Sequence, residues 1–236
     1  MINFECPICK STNFKDFNGR SNAQCSNCKS LERSRLMWMI LLKTNSLTPS
    51  IRILHIAPEI CLLEKFTIKY GESYHPCDFN PAKYKNKHCH IFPIDLCRDA
   101  SMMPSGVFNL ILHNHVLEHL PCDITPVITD LNRLLAPGGM HLFSVPFIGK
   151  FTVEDLSPLL SAEERTRRFA QFDHMRLFGT EDFPIYLEEK FASKIRHFNL
   201  RSLFNENDML NANIPVEVLD EIGGHSFFYY QKSLNP

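Results

Sequence analysis

The chain has 236 residues, 44% of them hydrophobic, 22% charged and 11% aromatic, with a net charge of −1. That length suits one large core, or a core plus a small module, and near-neutral charge gives no overall basic field for nucleic acid or anionic lipid. No apolar run reaches the roughly 18 residues that span a bilayer, and a cysteine pair starting at Cys6 stands where a secretion signal would need its apolar stretch. A soluble, cytoplasmic protein without a membrane partner is expected.

Residues 1–30 read as a metal module. Four of nine cysteines form two knuckles, Cys6-Pro-Ile-Cys9 and Cys25-Ser-Asn-Cys28, fifteen residues apart. Zinc takes four soft ligands in a tetrahedron, and each C-x-x-C supplies two from one tight turn. Asn18-Gly19 centres a hairpin that carries one knuckle to the other. The other five cysteines, Cys61, Cys77, Cys89, Cys97 and Cys122, have no ligand spacing and read as buried thiols.

Residues 31–50 read as a connecting helix over Leu31–Leu42 followed by a polar linker. Residues 51–236 alternate strand-like and helical runs, as in a parallel α/β sheet. The predicted strands are Ile51–Ile56, Ser73–Cys77, His90–Ile94, Val107–Leu112 and Met140–Val145. A helix after Pro58 follows the first. Apolar residues Ile124, Val127, Ile128, Leu131, Leu134 and Leu135 make one helical stripe, started by Asp123 and stopped by the turn Ala136-Pro-Gly-Gly139. Residues 152–190 read as mostly helical and polar, and Lys194–Leu200 with Ser226–Gln231 as a closing strand pair.

Ligands of open α/β sheets bind beyond the carboxyl ends of the strands. Those ends carry His55, Asp78, Asp95, His113 and His115. A carboxylate at the position of Asp78 can accept both hydroxyls of a ribose, and Asp95 can accept from an exocyclic amine.

From about residue 51 onward the chain resembles a class I S-adenosylmethionine-dependent methyltransferase. The resemblance runs through Ile53-Leu-His-Ile-Ala-Pro-Glu59, Asp78, Ile94-Asp95, Phe108–His113, His115-Val-Leu-Glu-His119 and Leu131–Gly139. The Cys-Pro-Ile-Cys module, Ser30-Leu-Glu-Arg-Ser-Arg35 and Asp173-His-Met-Arg-Leu-Phe-Gly179 are similar to a bacterial branch with an N-terminal zinc ribbon. The resemblance implies a Rossmann-like sheet with a small four-cysteine zinc ribbon, and S-adenosylmethionine held by His55, Ala57, Pro58, Glu59, Asp78, Asp95, Leu96 and His113. Ala57-Pro58-Glu59 departs from the usual glycine-rich turn, which leaves a non-catalytic binding module as an alternative.

Methyl transfer needs an aligned nucleophile relieved of its proton. His115, His174 and Arg176 are the candidate catalytic residues, Arg176 as the partner of an anionic acceptor group. His115, Glu118 and His119 would share one face of a helix and could hold a second, divalent metal. That segment is similar to one in small-RNA 3′-terminal 2′-O-methyltransferases, where those residues bind metal, with His174 comparable to a later ligand. The expected acceptor is a hydroxyl or amine of a small molecule or sugar. The alternative is RNA, gripped by Arg33 and Arg35 of the basic first fifty residues.

Overall fold

The computed structural model describes residues 4–84, 89–192 and 194–234. The chain opens with strands β1 (Phe14–Phe17) and β2 (Arg20–Cys25), paired antiparallel with Phe17 opposite Arg20. Asn18 and Gly19 between them both take positive φ, 48° and 76°, as a two-residue type I′ turn requires. Helix α1 (Glu32–Lys43) follows and buries Leu36, Met37, Ile40 and Leu41.

The remaining elements in chain order are β3 (Ile53–Ile56), α2 (Ile60–Tyr70), β4 (Tyr74–Asp78), β5 (Phe92–Pro93), α3 (Leu96–Asp99), β6 (Phe108–Asn114), α4 (Ile124–Leu134), β7 (Leu135–Ser144), β8 (Val153–Glu154), α5 (Ala162–Phe169), β9 (Arg176–Leu177), α6 (Phe183–Lys190), β10 (Ile195–His197), α7 (Glu206–Asn211) and β11 (Phe227–Gln231). Seven of these strands form one sheet in the order β10-β11-β7-β6-β3-β4-β5. β3, β4, β5, β6 and β7 run parallel, and β11 lies antiparallel between β7 and β10. The chain leaves β3 toward β4 on one side and returns to β6 on the other. Such a reversal opens a crevice at the carboxyl ends of β3 and β6.

The expected closing strand pair is present as β10 and β11, and α4 starts at Asp123, whose side chain accepts from the Thr125 amide. Three expectations are corrected. Strand β7 begins at Leu135, so Ala136–Gly139 lies inside it as a bulge between the pairs Phe108–Leu135 and Leu110–Met140. Gly139 is needed there, because a Cβ would meet the Phe108 and Ala136 carbonyls at 2.9 Å. Residues 152–190 hold only two eight-residue helices, together with the two-stranded β8–β9 ribbon. Finally, Cys97 and Cys122 form a disulfide, because α3 and the loop before α4 place their Cα atoms 6.1 Å apart. Cys61 and Cys77 are buried thiols as expected, and Cys89 is half-buried.

The cysteine module is joined to the sheet. Cys6, Ile8 and Cys25 belong to the same apolar cluster as α1, α2 and one face of the sheet. Arg35, wholly buried, donates to the carbonyls of Ala23, Ser30, Ala212 and Asn213, stitching the module to the segment after α7. No helix among the described residues is long and apolar enough to cross a membrane.

Candidate functional site

The first group of interest is the four cysteines. Each knuckle repeats one backbone pattern: Cys6 N–H donates to the Ser11 carbonyl and Lys10 N–H to Cys6, just as Cys25 donates to Ser30 and Lys29 to Cys25. Lys10 and Lys29 both take left-handed φ, 66° and 63°. The two matching turns bring the thiols together, with Sγ separations of 3.6 Å for Cys6–Cys28 and for Cys9–Cys25. All four ligand atoms lie within 4.8 Å of one another. Thiolates on a tetrahedral ion at about 2.3 Å stand about 3.8 Å apart, so this donor set fits one.

The second group lies at the crevice between β3 and β6. Ala57 turns the chain at the end of β3 with φ 49°, doing with a Cβ what glycine usually does, and its N–H donates to Cys77. Next come Pro58, which is buried, and Glu59, whose Oε1 accepts from Asn114 Nδ2 at 2.8 Å. Arg33 Nε stands 3.7 Å from the same carboxylate and His55 Nε2 stands 3.6 Å away. Burial raises the Glu59 pKa, but His55, Arg33 and Asn114 outweigh it and hold the carboxyl down at about 2. Asn114 is itself anchored, accepting from Ser144 Oγ at 2.8 Å.

His115 follows at φ 53°. Burial, reinforced by Arg33, pushes this imidazole down to about 3 against the opposite pull of Glu59. Arg33 Nε, Glu59 Oε2 and His115 Nε2 are all buried without a hydrogen-bond partner. Buried polar atoms are rarely left so. One is cationic, one anionic and the third a neutral imidazole that feels the charges of the other two.

Along the rim, Asp78 ends β4. Its Oδ2 meets Tyr84 Oη at 2.9 Å and Lys83 Nζ at 2.5 Å, while Oδ1 accepts the Asn80 amide. Tyr84 also donates to the Pro58 carbonyl at 3.1 Å, which ties the rim to the β3 turn. Asp95 is half-buried and caps α3 by accepting the Cys97 amide; Leu96 beside it is buried.

Two residues expected in this crevice sit in the core. His113 points to the opposite face from Asn114, because side chains alternate along a strand; it is fully buried and stacks on Phe143 at 5.1 Å. His55 is fully buried, bonded through Nδ1 to Tyr74 Oη, and reaches the crevice only through Glu59.

The third group surrounds Glu118. The expected helix from His115 to His119 is absent: His115 is left-handed and only Leu117–His119 makes a 3-10 turn. The three side chains therefore do not share one helical face. Instead Glu118, His119 and His174 bring ligand atoms within 4.8 Å of one another. Burial pushes the Glu118 carboxyl up to about 8.

Arg176 is corrected as an acceptor-binding residue. It is 1% exposed and spends its guanidinium on Glu154, at 2.5 Å, and on the Leu117 and Cys122 carbonyls. Arg35 is likewise consumed and cannot grip RNA. Sequence reasoning missed Asn114, Tyr84 and Lys83, and placed Arg33 on an RNA surface. The only available signals were the H-N-H run ending β6 and the L-E-R-S-R run in α1.

No protein-family model matches the chain, and no curated protein matches it. Among solved structures it is similar to an S-adenosylmethionine-dependent methyltransferase from Archaeoglobus fulgidus, with a TM-score of 0.52 and 14% identity over 85% of this chain and 94% of that one. It is also similar to the CurJ carbon methyltransferase, at TM-score 0.52 and 16% identity over 89% of this chain and 56% of that one. The fold is that of a Rossmann-like class I methyltransferase. A third similar structure is phosphoethanolamine N-methyltransferase 2 of Haemonchus contortus, solved with S-adenosylhomocysteine, at TM-score 0.50 and 16% identity over 84% of this chain and 52% of that one.

Proposed function

We propose that this methyltransferase fold binds S-adenosylmethionine in the β3–β6 crevice and transfers its methyl group to a hydroxyl or amine of a small molecule or sugar. The observation that carries the reading is the convergence of Arg33 Nε, Glu59 Oε2 and His115 Nε2, each buried without a partner, at the topological switch point. An amino-acid end group offers an ammonium for Glu59 and a carboxylate for Arg33, and charge-assisted hydrogen bonds to such partners are the strong ones.

Asp78, with Lys83 and Tyr84 able to exchange partners, would take the ribose hydroxyls, and Asp95 the exocyclic amine. The bound cofactor supplies the activated methyl group; this chain must orient the acceptor and exclude water. His115 stays neutral at physiological pH, so its Nε2 can accept a hydrogen bond from the acceptor hydroxyl or amine. Zinc in the Cys6, Cys9, Cys25 and Cys28 cluster would hold the module in shape and, through α1, keep Arg33 at the crevice. A small acceptor is favoured over RNA because Arg35 is buried with its guanidinium donating to four carbonyls, which leaves it none for phosphate, and this reading gives Arg33 to the cofactor carboxylate.

Calorimetric titration with S-adenosylhomocysteine tests this. Micromolar binding by the wild type that Asp78→Ala weakens at least tenfold is the expected result. No binding by the wild type overturns the reading and favours a non-catalytic module. Methylation of RNA with a steep salt dependence, in place of small acceptors, would overturn the acceptor assignment.

A further inference from the structure

The turn that carries Asp95 is held weakly by its own elements. It lies between β5, a two-residue strand at the edge of the sheet, and α3, a single helical turn of four residues. Neither supports itself, since a helix this short does not form alone and an edge strand is paired on one side only. The local ties are the Asp95 N–H donated to Asp99 Oδ2 at 2.7 Å and the Cys97 N–H donated to Asp95 Oδ1 at 3.0 Å. Beyond the helix, Arg133 clamps the carbonyls of Ala100, Ser101 and Met103. That clamp begins at Ala100 and leaves residues 95–99 outside it.

The covalent tie on this turn is the Cys97–Cys122 disulfide. Its other end is anchored. The Cys122 carbonyl accepts from Arg176 Nη2 at 2.8 Å, the same guanidinium holds Leu117 and Glu154, and Asp123 caps α4. The disulfide therefore fastens a loosely built turn to a fixed one. Both cysteines are half-buried, so an attacking thiolate can reach the bond. The same chain keeps seven thiols free, among them Cys6 with Cys28 and Cys9 with Cys25, whose sulfurs stand 3.6 Å apart. Surroundings that leave such close pairs reduced can also reduce an accessible disulfide, and disulfides there are usually transient.

We propose that the Cys97–Cys122 disulfide is a reversible redox switch on the Asp95 turn. A dithiol reductant attacks one cysteine sulfur through its thiolate, and its second thiol then displaces that cysteine from the mixed disulfide. The Cys97–Cys122 bond breaks, one S–S bond forms in the reductant, and two electrons and two protons pass to the cysteines. Reduction leaves residues 95–99 with their local hydrogen bonds and the β5 pairing, while Cys122 stays on Arg176. With Asp95 and Leu96 at the end of the cofactor that bears the exocyclic amine, the oxidised chain is the preorganised one. The reduced chain must order the turn on binding. That consequence rests on the methyltransferase reading; the loosening of the turn does not.

The test compares the full chain, purified without reductant, before and after dithiothreitol. Denatured with a chelator, the untreated protein should show seven reactive thiols and the treated protein all nine; nine before treatment overturns the switch. Amide exchange should rise on reduction at residues 95–99 and stay unchanged at 117–123. S-adenosylhomocysteine binding, read by calorimetry, should weaken about tenfold, the cost of fixing one residue's backbone on binding. Cys97→Ser should match the reduced wild type and ignore dithiothreitol, which also reports any action of the reductant on the cysteine module. Cys89→Ser should respond as the wild type does. Equal exchange at 95–99 in the two states overturns the proposal, as does a dithiothreitol response that Cys97→Ser retains. Equal S-adenosylhomocysteine affinity in the two states overturns the coupling to the cofactor. Where neither state binds it, the methyltransferase reading fails, and exchange at 95–99 alone decides for or against the switch.

Discussion

Arg33 Nε lies 3.7 Å from Glu59 Oε1, and this pair joins the two parts of the chain that differ most in character. Arg33 belongs to the helix leaving the cysteine module; Glu59 closes the Ala57-Pro58-Glu59 turn at the end of β3. The contact is too long to satisfy either side chain fully, and Arg33 Nε and Glu59 Oε2 remain without partners. Arg33→Ala and Glu59→Gln should therefore each weaken S-adenosylhomocysteine binding at least tenfold in calorimetry. Equal binding by both variants would remove the pair from the cofactor site.

The rim makes a graded prediction. Asp78 has both oxygens engaged, by Asn80, Lys83 and Tyr84, so a ribose must displace some of these partners. Tyr84→Phe removes a competing donor but also the tie to the Pro58 carbonyl. Its effect on affinity should be severalfold at most, against at least tenfold for Asp78→Ala. A Tyr84→Phe loss as large as that of Asp78→Ala would make Tyr84 a direct cofactor contact.

The strands, the α4 stripe, the Asn18-Gly19 hairpin and the paired knuckles were legible because each is a local pattern: period, turn chemistry or ligand spacing. What the sequence hid depends on which way a side chain points. Period-two alternation shows that His113 and Asn114 face opposite ways but not which faces the crevice, and the histidine looked the better chemist. His115 looked helical with His119 because an i, i+4 spacing carries no sign that its φ would be 53°. Arg176 looked free because its three partners lie 22 to 59 residues away. The Cys97–Cys122 disulfide joins residues 25 apart with no motif between them.

Removing the metal from the module should be felt far from it. Zinc is expected at one ion per chain in the cysteines. Arg35 donates to carbonyls on both sides of the joint, in the module and at Ala212 and Asn213. Losing the ion frees Ser30 and Ala23 to move, and Arg35 with them. Cys9→Ser should lower the thermal midpoint and raise amide exchange at residues 211–214 as well as in the module. Exchange confined to residues 4–30 would show that Arg35 does not couple them. Arg35→Lys should cost at least about 3 kcal/mol, since several carbonyls would lose their donors and each buried orphan costs about 1–3 kcal/mol.

Acid should unfold the protein through its core histidines. His113 and His141 are fully buried, and burial pushes His113 well below its ordinary value and His141 down to about 3. In the unfolded chain both titrate near 6.5. Above that pH neither state binds the proton and nothing is lost. As pH falls below it, only the unfolded chain takes up protons, so stability falls by about 1.4 kcal/mol per pH unit for each histidine. The loss for His141 stops only near pH 3, where the folded state begins to protonate as well. Urea midpoints should therefore change little from pH 7.5 to 6.5 and drop from there to pH 5, and His141→Gln should flatten the dependence by one proton. A pH dependence that His141→Gln leaves unchanged would mean that this imidazole takes up its proton in the folded state as well.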